Sequence, residues 1–373
     1  VQRIAVRKLV ICVLLLAAVG IVAWHFWRAP RAIVIRPPAT EANQHSTQPA
    51  AAKSTVVTAA VENLDSINQE DSPQLRSLRL ALQQTPDDLA LLIEIAELER
   101  KHGRIWSALE HAQAAERLDV SNPLRAALVG DLLAGLRAFP EARAAFDRAL
   151  SLAPEKTDLG LSKIATYQAE GDLRAADEAL QRLPLARPQD RMLVQMRYRQ
   201  HLYQHRYAEA LELVDTVFGK AAVAKSANAW VRLRFHIDVG KLRQLMRHLG
   251  TANSEFQLAL HLHGELRAAG ADPHELASLL GAIHAGLGNK SAAISAAQDY
   301  LSSITNDHQS QQAARLQLAM IHAEFGDTAS AIEHLSASLA TPYGTTTAAL
   351  RLDPVWAPLR GNPKFDALSA HEE

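Results

Sequence analysis

The feature that most constrains this 373-residue chain is a 34-residue period that starts at Leu89 and holds for four consecutive units without insertion or deletion. The units are 89–122, 123–156, 157–190 and 191–224. Repetition at that period predicts a solenoid of helix pairs, each burying a face against its neighbours alone. Position 20 of the unit reads Ala108, Ala142, Ala176 and Ala210. Position 8 reads Ala96 and Gly130 before loosening to Ile164 and Tyr198, and position 15 reads Gly103, Arg137, Gly171 and His205. The small residues are read as helix crossings, because axes about 8–10 Å apart leave room for little more than Gly or Ala, and the first helix is expected to end near position 15. Position 17 (Ile105, Phe139, Leu173, Tyr207) restarts an apolar stripe, and Pro154 and Pro188 at position 32 stop the second helix. The fold class expected is all-α.

These positions resemble the tetratricopeptide repeat, whose pattern places small residues at 8 and 20, an aliphatic or aromatic residue at 24 and proline at 32. Position 24 holds Ala112, Phe146, Leu180 and Val214, and the second unit fits best, with Gly130, Leu133, Ala142, Phe146, Ala149 and Pro154 in place. The resemblance implies a right-handed α-solenoid that binds protein. Residues 225–273 read as a degenerate unit, since Arg232 and Gln244 stand where small residues belong, and the 15 additional residues read as a separate helix around 254–268. Register returns in 274–307 (Gly281, Gly288, Ala293) and 312–345 (Ala319, Gly326, Ala331). Upstream, Pro73 to Thr85 reads as the second helix of an incomplete capping unit, so the solenoid spans 73–345.

Residues 1–8 form a short basic N-terminus with Arg3, Arg7 and Lys8, and 9–27 is a 19-residue stretch without charge that ends in Trp24, Phe26 and Trp27. At about 1.5 Å per residue it matches the hydrocarbon core of about 30 Å, so it is expected to be a transmembrane helix; a cleaved signal peptide is the competing reading. The expected location is a bacterial inner membrane, single-pass, with the repeats in the periplasm. Residues 28–72, rich in Pro, Ala, Thr and Gln, read as a flexible linker. The one cysteine, Cys12, lies in the apolar stretch, which excludes an intramolecular disulfide and a cysteine metal cluster. A net charge of −1 offers no basic field for nucleic acid.

His201 and His205 have the i, i+4 spacing of a metal pair, but no carboxylate stands at metalloprotease spacing. His201, His284 and His322 all fall at position 11, where an aromatic packing role is expected, and His261 and His263 fall on different sides of a helix. With no phosphate loop, nucleophile elbow or dinucleotide fingerprint, the chain is expected not to be an enzyme and to need no cofactor, metal or small-molecule substrate. In repeats of this family, positions 2, 5, 9 and 12 of the first helix line a concave groove. Here the resemblance assigns a protein or peptide partner to Ile93, Glu97, Arg100, Leu124, Ala127, Asp131, Leu161, Ala165, Gln168, Gln195, Arg199 and Leu202. The groove is mixed and moderately apolar, suited to an extended or helical apolar segment.

Residues 346–373 read as a capping tail, with Leu352, Trp356, Leu359 and Phe365 packing on the last repeat. Its string Leu352-Asp353-Pro354, Trp356, Pro358-Leu359-Arg360, Asn362-Pro363 and Phe365 resembles the ends of repeat regions in bacterial membrane-spanning Ser/Thr kinases, nucleotide cyclases and winged-helix regulators. That resemblance implies a second reading, the sensor half of a one-pass signalling or transcription regulator whose cytoplasmic effector is absent or separate. The first reading is a membrane-anchored scaffold.

Overall fold

The computed structural model describes residues 72–183, 191–219 and 228–370. The apolar stretch 9–27 with its flanking arginines, Cys12, the linker up to residue 71 and Pro188 lie outside them. Among the described residues every regular element is helical, and no helix is long and apolar enough to cross a membrane.

Helix α1 (Pro73–Gln84) packs on the first of a series of helix pairs: α2 (Leu89–Lys101) with α3 (Ile105–Leu118), α4 (Pro123–Gly135) with α5 (Phe139–Leu152), and α6 (Thr157–Glu170) with α7 (Leu173–Arg182). There follow α8 (Arg191–Tyr203) with α9 (Tyr207–Val214), whose last turn widens to a π-helix over Asp215–Gly219, and α10 (Ala229–Leu245) with α11 (Leu249–Ala268). The series ends in α12 (Pro273–Gly286) with α13 (Lys290–Ser303) and α14 (His308–Glu324) with α15 (Thr328–Leu339). The tail folds into α16 (Thr347–Leu352), a 3-10 segment (Pro354–Leu359) and α17 (Pro363–Ala370). Short polar caps start many of the helices: the side chains of Ser72, Asp88, Asn122, Asp172, Asn228, Asp272, Asp307 and Asp327 accept first-turn backbone N–H groups.

Position 20 lies where the two helices of a pair meet. Ala108, Ala142, Ala176, Ala210, Ala293 and Ala331 are all fully buried. Position 8 faces position 24 across the same contact, and a Cβ on Gly130 would stand 2.9 Å from the Phe146 ring. Position 15 needs a correction. It is no helix crossing but the turn between the two helices, and Gly103, Arg137, Gly171, His205, Arg247, Gly288 and Gly326 all have φ between +56° and +93°. In each of these turns the next residue's N–H reaches back to the carbonyl five residues earlier, as from Arg104 to Glu99 and from Asp327 to His322. That closure with a left-handed residue is the Schellman arrangement, which explains the glycines by backbone conformation rather than by axis distance.

The unit read as degenerate is in register once its start is moved eight residues on, from Lys225 to Leu233. Gly240, Arg247, Ala252 and Phe256 then occupy positions 8, 15, 20 and 24, and a Cβ on Gly240 would stand 2.9 Å from the Phe256 ring, as at Gly130. Arg232 and Gln244 are not crossing residues. No separate helix occurs around 254–268: the additional residues lengthen α10 and α11 to 17 and 20 residues.

The array closes on itself. The N-terminus of α14 meets the end of α2, where Arg100 donates to Gln309 Oε1 at 3.3 Å and a Cβ on Gly103 would stand 2.8 Å from the His308 ring. The segment after α15 then runs across the turns of the second and third units. Tyr343 N–H donates to the Gly135 carbonyl at 3.3 Å, and its ring fills the space over Gly135 within the core of the second unit. Ala348 and Leu352 lie over Gly171, and α16 packs on α6. Residues 343–348 are buried without exception. Trp356, Leu359 and Phe365 pack on Leu316, Ala319 and Leu335 of the last unit. Leu352 does not join them; it packs with Tyr198, Leu202 and Val239, so the tail bridges the last unit and the fourth rather than capping the last alone.

Candidate partner groove

The twelve groove positions separate into two groups. In the first two units they remain accessible. Ile93 is half-buried, Glu97 is exposed, Leu124 is 49% exposed, and Ala127 and Asp131 are half-buried. Glu97 Oε2 accepts from Arg100 at 2.6 Å, and the Arg100 guanidinium also lies in the field of Tyr343 and Asp131. Burial opposes the Arg100 charge, but Tyr343, Glu97 and Asp131 outweigh it and raise its pKa. The structure thus gathers Glu97, Arg100 and Asp131 at the seam between the first and last units, whereas Ile93, Leu124 and Ala127 stand beyond it.

In the third and fourth units the groove assignment is corrected. Leu161 and Ala165 lie in a core shared by both units, with Ile164, Ala176, Leu193 and Met196. Gln168 is fully buried and donates to the Met196 carbonyl at 3.1 Å and to Gln200 Oε1 at 2.9 Å, while Gln200 donates to the Leu173 carbonyl at 2.7 Å. These are stacking bonds. Arg199 and Leu202 are buried under the tail: Leu202 packs with Leu352, and Arg199 lies in the field of Tyr203 and Asp353. Burial raises the Asp353 carboxyl to about 6 despite the Val355 N–H and Arg199. Gln195 alone of this group stays half-buried. In the third unit these positions are closed by stacking on the fourth, and in the fourth Arg199 and Leu202 are covered by the chain's own C-terminal segment.

Arg137, a main tie in the closure of the ring, was not among the residues assigned from sequence. Arg137 donates two bonds to the Leu339 carbonyl, at 2.9 and 2.8 Å, and one to the Thr345 carbonyl at 2.9 Å. The signal was an arginine at position 15, a place the turn conformation reserves for glycine. Exposed apolar residues at the edge were missed as well. Leu118 and Val120, 47% and 71% exposed, precede Leu124 in the turn between the first and second units.

The histidines divide by packing. His322 is buried with Nδ1 3.0 Å from Asp327 and its ring stacked on His334. His201 and His284 are half-buried, each with Nδ1 lacking a hydrogen bond, and burial lowers the pKa of both. His205 is exposed in its turn, 2.7 Å from the Tyr207 hydroxyl. His263 is buried against the Leu276 carbonyl, and His261 is exposed beside Glu265. Among the described residues no group of three or more His, Cys, Asp or Glu side chains is arranged to hold a metal ion.

Among solved structures, the chain is similar to a tetratricopeptide repeat protein from Parabacteroides merdae: 14% identity over 71% of this chain and 98% of that one, at a TM-score of 0.47. It is also similar to the APC/C hetero-tetramer Cut9–Hcn1, with 15% identity over 79% of this chain and 51% of that one, at a TM-score of 0.38. No family model and no curated protein matches the sequence. The fold is an α-helical repeat solenoid. Its helix pairs keep the spacing of the tetratricopeptide repeat, as their own boundaries and turns demonstrate.

Proposed function

We propose that this chain is a non-catalytic scaffold that binds a protein partner on the first two units and is tethered to a bacterial inner membrane by residues 9–27, with the repeats in the periplasm. The observation that carries the binding surface is the contrast along the groove. The groove positions of the third unit are closed by stacking on the fourth, and most of those of the fourth lie under the chain's own tail, while Ile93, Ala127 and the exposed Leu124, Val120 and Leu118 of the first two remain open. A partner contributing a short apolar helix or extended segment suits such a strip, where a few buried anchors carry most of the affinity. The tether rests on the sequence: 19 residues without charge followed by aromatic residues suited to the headgroup boundary.

The test is affinity capture from solubilised membranes with the full chain and two variants. Val120→Asp with Leu124→Asp is expected to lose the partner, whereas Leu258→Asp, an equally exposed leucine on α11, retains it. Identical capture by all three defeats the assigned surface. Alkaline carbonate extraction checks the tether, which predicts retention of the chain in the membrane pellet and its release when 9–27 is removed. The sensor reading draws on the tail motif, and an in-frame kinase, cyclase or winged-helix sequence in the gene would favour it over the scaffold.

A further inference from the structure

We propose that the seam between the first and last units is a pH-sensitive latch in which neutral His308 holds the ring shut and protonated His308 opens it. His308 begins α14 and sits against the turn at Gly103, where a Cβ would be 2.8 Å from its ring. Glycine at that turn therefore serves twice, for its left-handed φ of +80° and for the room it leaves the imidazole. The imidazole bonds the Pro342 carbonyl, in the segment that goes on to cross the second unit. Nε2 is buried and has no hydrogen-bond partner. A neutral ring tolerates this, since a single unused acceptor costs little. A protonated ring places a charged donor there with nothing to receive it, which is far more costly.

The surroundings add to that penalty. The ionisable groups on the elements that meet at His308 include Glu97, Glu99, Arg100, Lys101, His102 and Arg104 on and after α2, Asp307 and Arg315 on its own helix, and Tyr343 on the following segment. Glu97 pairs with Arg100 and Asp307 caps α14 through the Ser310 N–H, and neither carboxylate is within hydrogen-bond reach of Nε2. Burial and Arg315 hold the His308 pKa below its ordinary 6.5, against the Pro342 bond and Asp307. The closed form therefore gains its full advantage above pH 6.5 and loses it as the pH falls toward the depressed value. Asp353, within the tail and raised to about 6, acts in the opposite sense: its contribution falls as the pH rises from 3.8 toward 6. Acidification is thus expected to release the seam at Gly103 while leaving the tail seated on the fourth unit. The latch does not depend on the partner surface, because its readout is the ring itself.

Hydrogen exchange on the full chain, corrected for the intrinsic pH dependence of amide exchange, tests this at about pH 7.5 and about pH 5.5. Amides of 102–106 and 339–345 are expected to lose about twofold or more in protection at the lower pH, while those of α8 and α10 hold theirs. His308→Asn, which keeps a polar side chain of similar reach but does not titrate, should show protection that is independent of pH. His308→Gln serves the same purpose if the asparagine variant folds poorly. Constant protection in the wild type, or an equal loss in a folded His308 variant, overturns the latch.

Discussion

Holding an L-residue in the left-handed region at position 15 costs roughly 1–2 kcal/mol relative to glycine, so Arg137, His205 and Arg247 need compensation. Arg137 has it: three bonds to the carbonyls of Leu339 and Thr345 tie the second unit to the end of the last. His205 has only an exposed contact with the Tyr207 hydroxyl. The same substitution at the two positions should therefore change stability in opposite directions. His205→Gly is expected to stabilise the protein by about 0.5–1 kcal/mol through relief of the backbone, and Arg137→Gly to destabilise it by about 1–3 kcal/mol through lost charge-assisted bonds. Urea denaturation of both variants against the wild type measures the sign. Periodicity alone located position 15 but misread its purpose, because glycine at a helix crossing and glycine at a left-handed turn look the same in one sequence. The non-glycine residues distinguish the two uses, since Arg and His would not fit a tight crossing yet can adopt a positive φ.

At the scale of elements, α1 depends on one buried carboxylate. Glu99 on α2 is fully buried and accepts from Arg79 of α1 at 2.6 Å, from Ser107 at 2.8 Å and from His111 at 2.9 Å. Burial pushes the Glu99 pKa up, but the bonds from His111, Arg79 and Ser107 outweigh it and hold the carboxyl below its ordinary 4.5. The bond to Glu99 raises the His111 pKa above its ordinary 6.5 against the cost of burial. The glutamate contribution is complete above pH 4.5 and fades as the pH falls through its lowered value. The histidine contribution is complete below pH 6.5 and fades as the pH rises through its raised value. The packing of α1 on α2 should therefore be tightest between pH 4.5 and 6.5. Limited proteolysis within α1 should speed up above that window, and Glu99→Gln should abolish the pH dependence while loosening α1 throughout. A cleavage rate flat with pH in the wild type would remove the network from this role. The helices themselves were legible because the 34-residue register is local and repeated. The fifth unit was lost only because eight residues precede it, although Gly240, Ala252 and Phe256 repeat the spacing of Gly130, Ala142 and Phe146.

What no periodicity could reveal is the closure of the whole molecule, since it joins residues about two hundred positions apart that share no pattern, such as Arg137 with Leu339 and Gly103 with His308. Closure changes the expected thermodynamics. In an open solenoid each unit contacts only its neighbours, so long arrays tend to lose cooperativity and unfold in parts. Here the last unit and the tail also contact the first four units, so fraying at either end must break contacts at the other. The wild type is therefore expected to show a single calorimetric transition with equal calorimetric and van't Hoff enthalpies. Tyr343 is the residue on which to test this, because its ring lies in the core of the second unit while its backbone belongs to the end of the last. Tyr343→Ala should cost about 3–5 kcal/mol, as for other large aromatic deletions, and should also split the transition, with units one to three melting before the rest. Gly135→Val, which drives a side chain into the same ring from the other partner, should split it in the same way without altering any stacking contact made by Tyr343's own unit. If both variants keep one transition at a lower temperature, the neighbour contacts alone supply the cooperativity and the closure contributes nothing beyond its local packing.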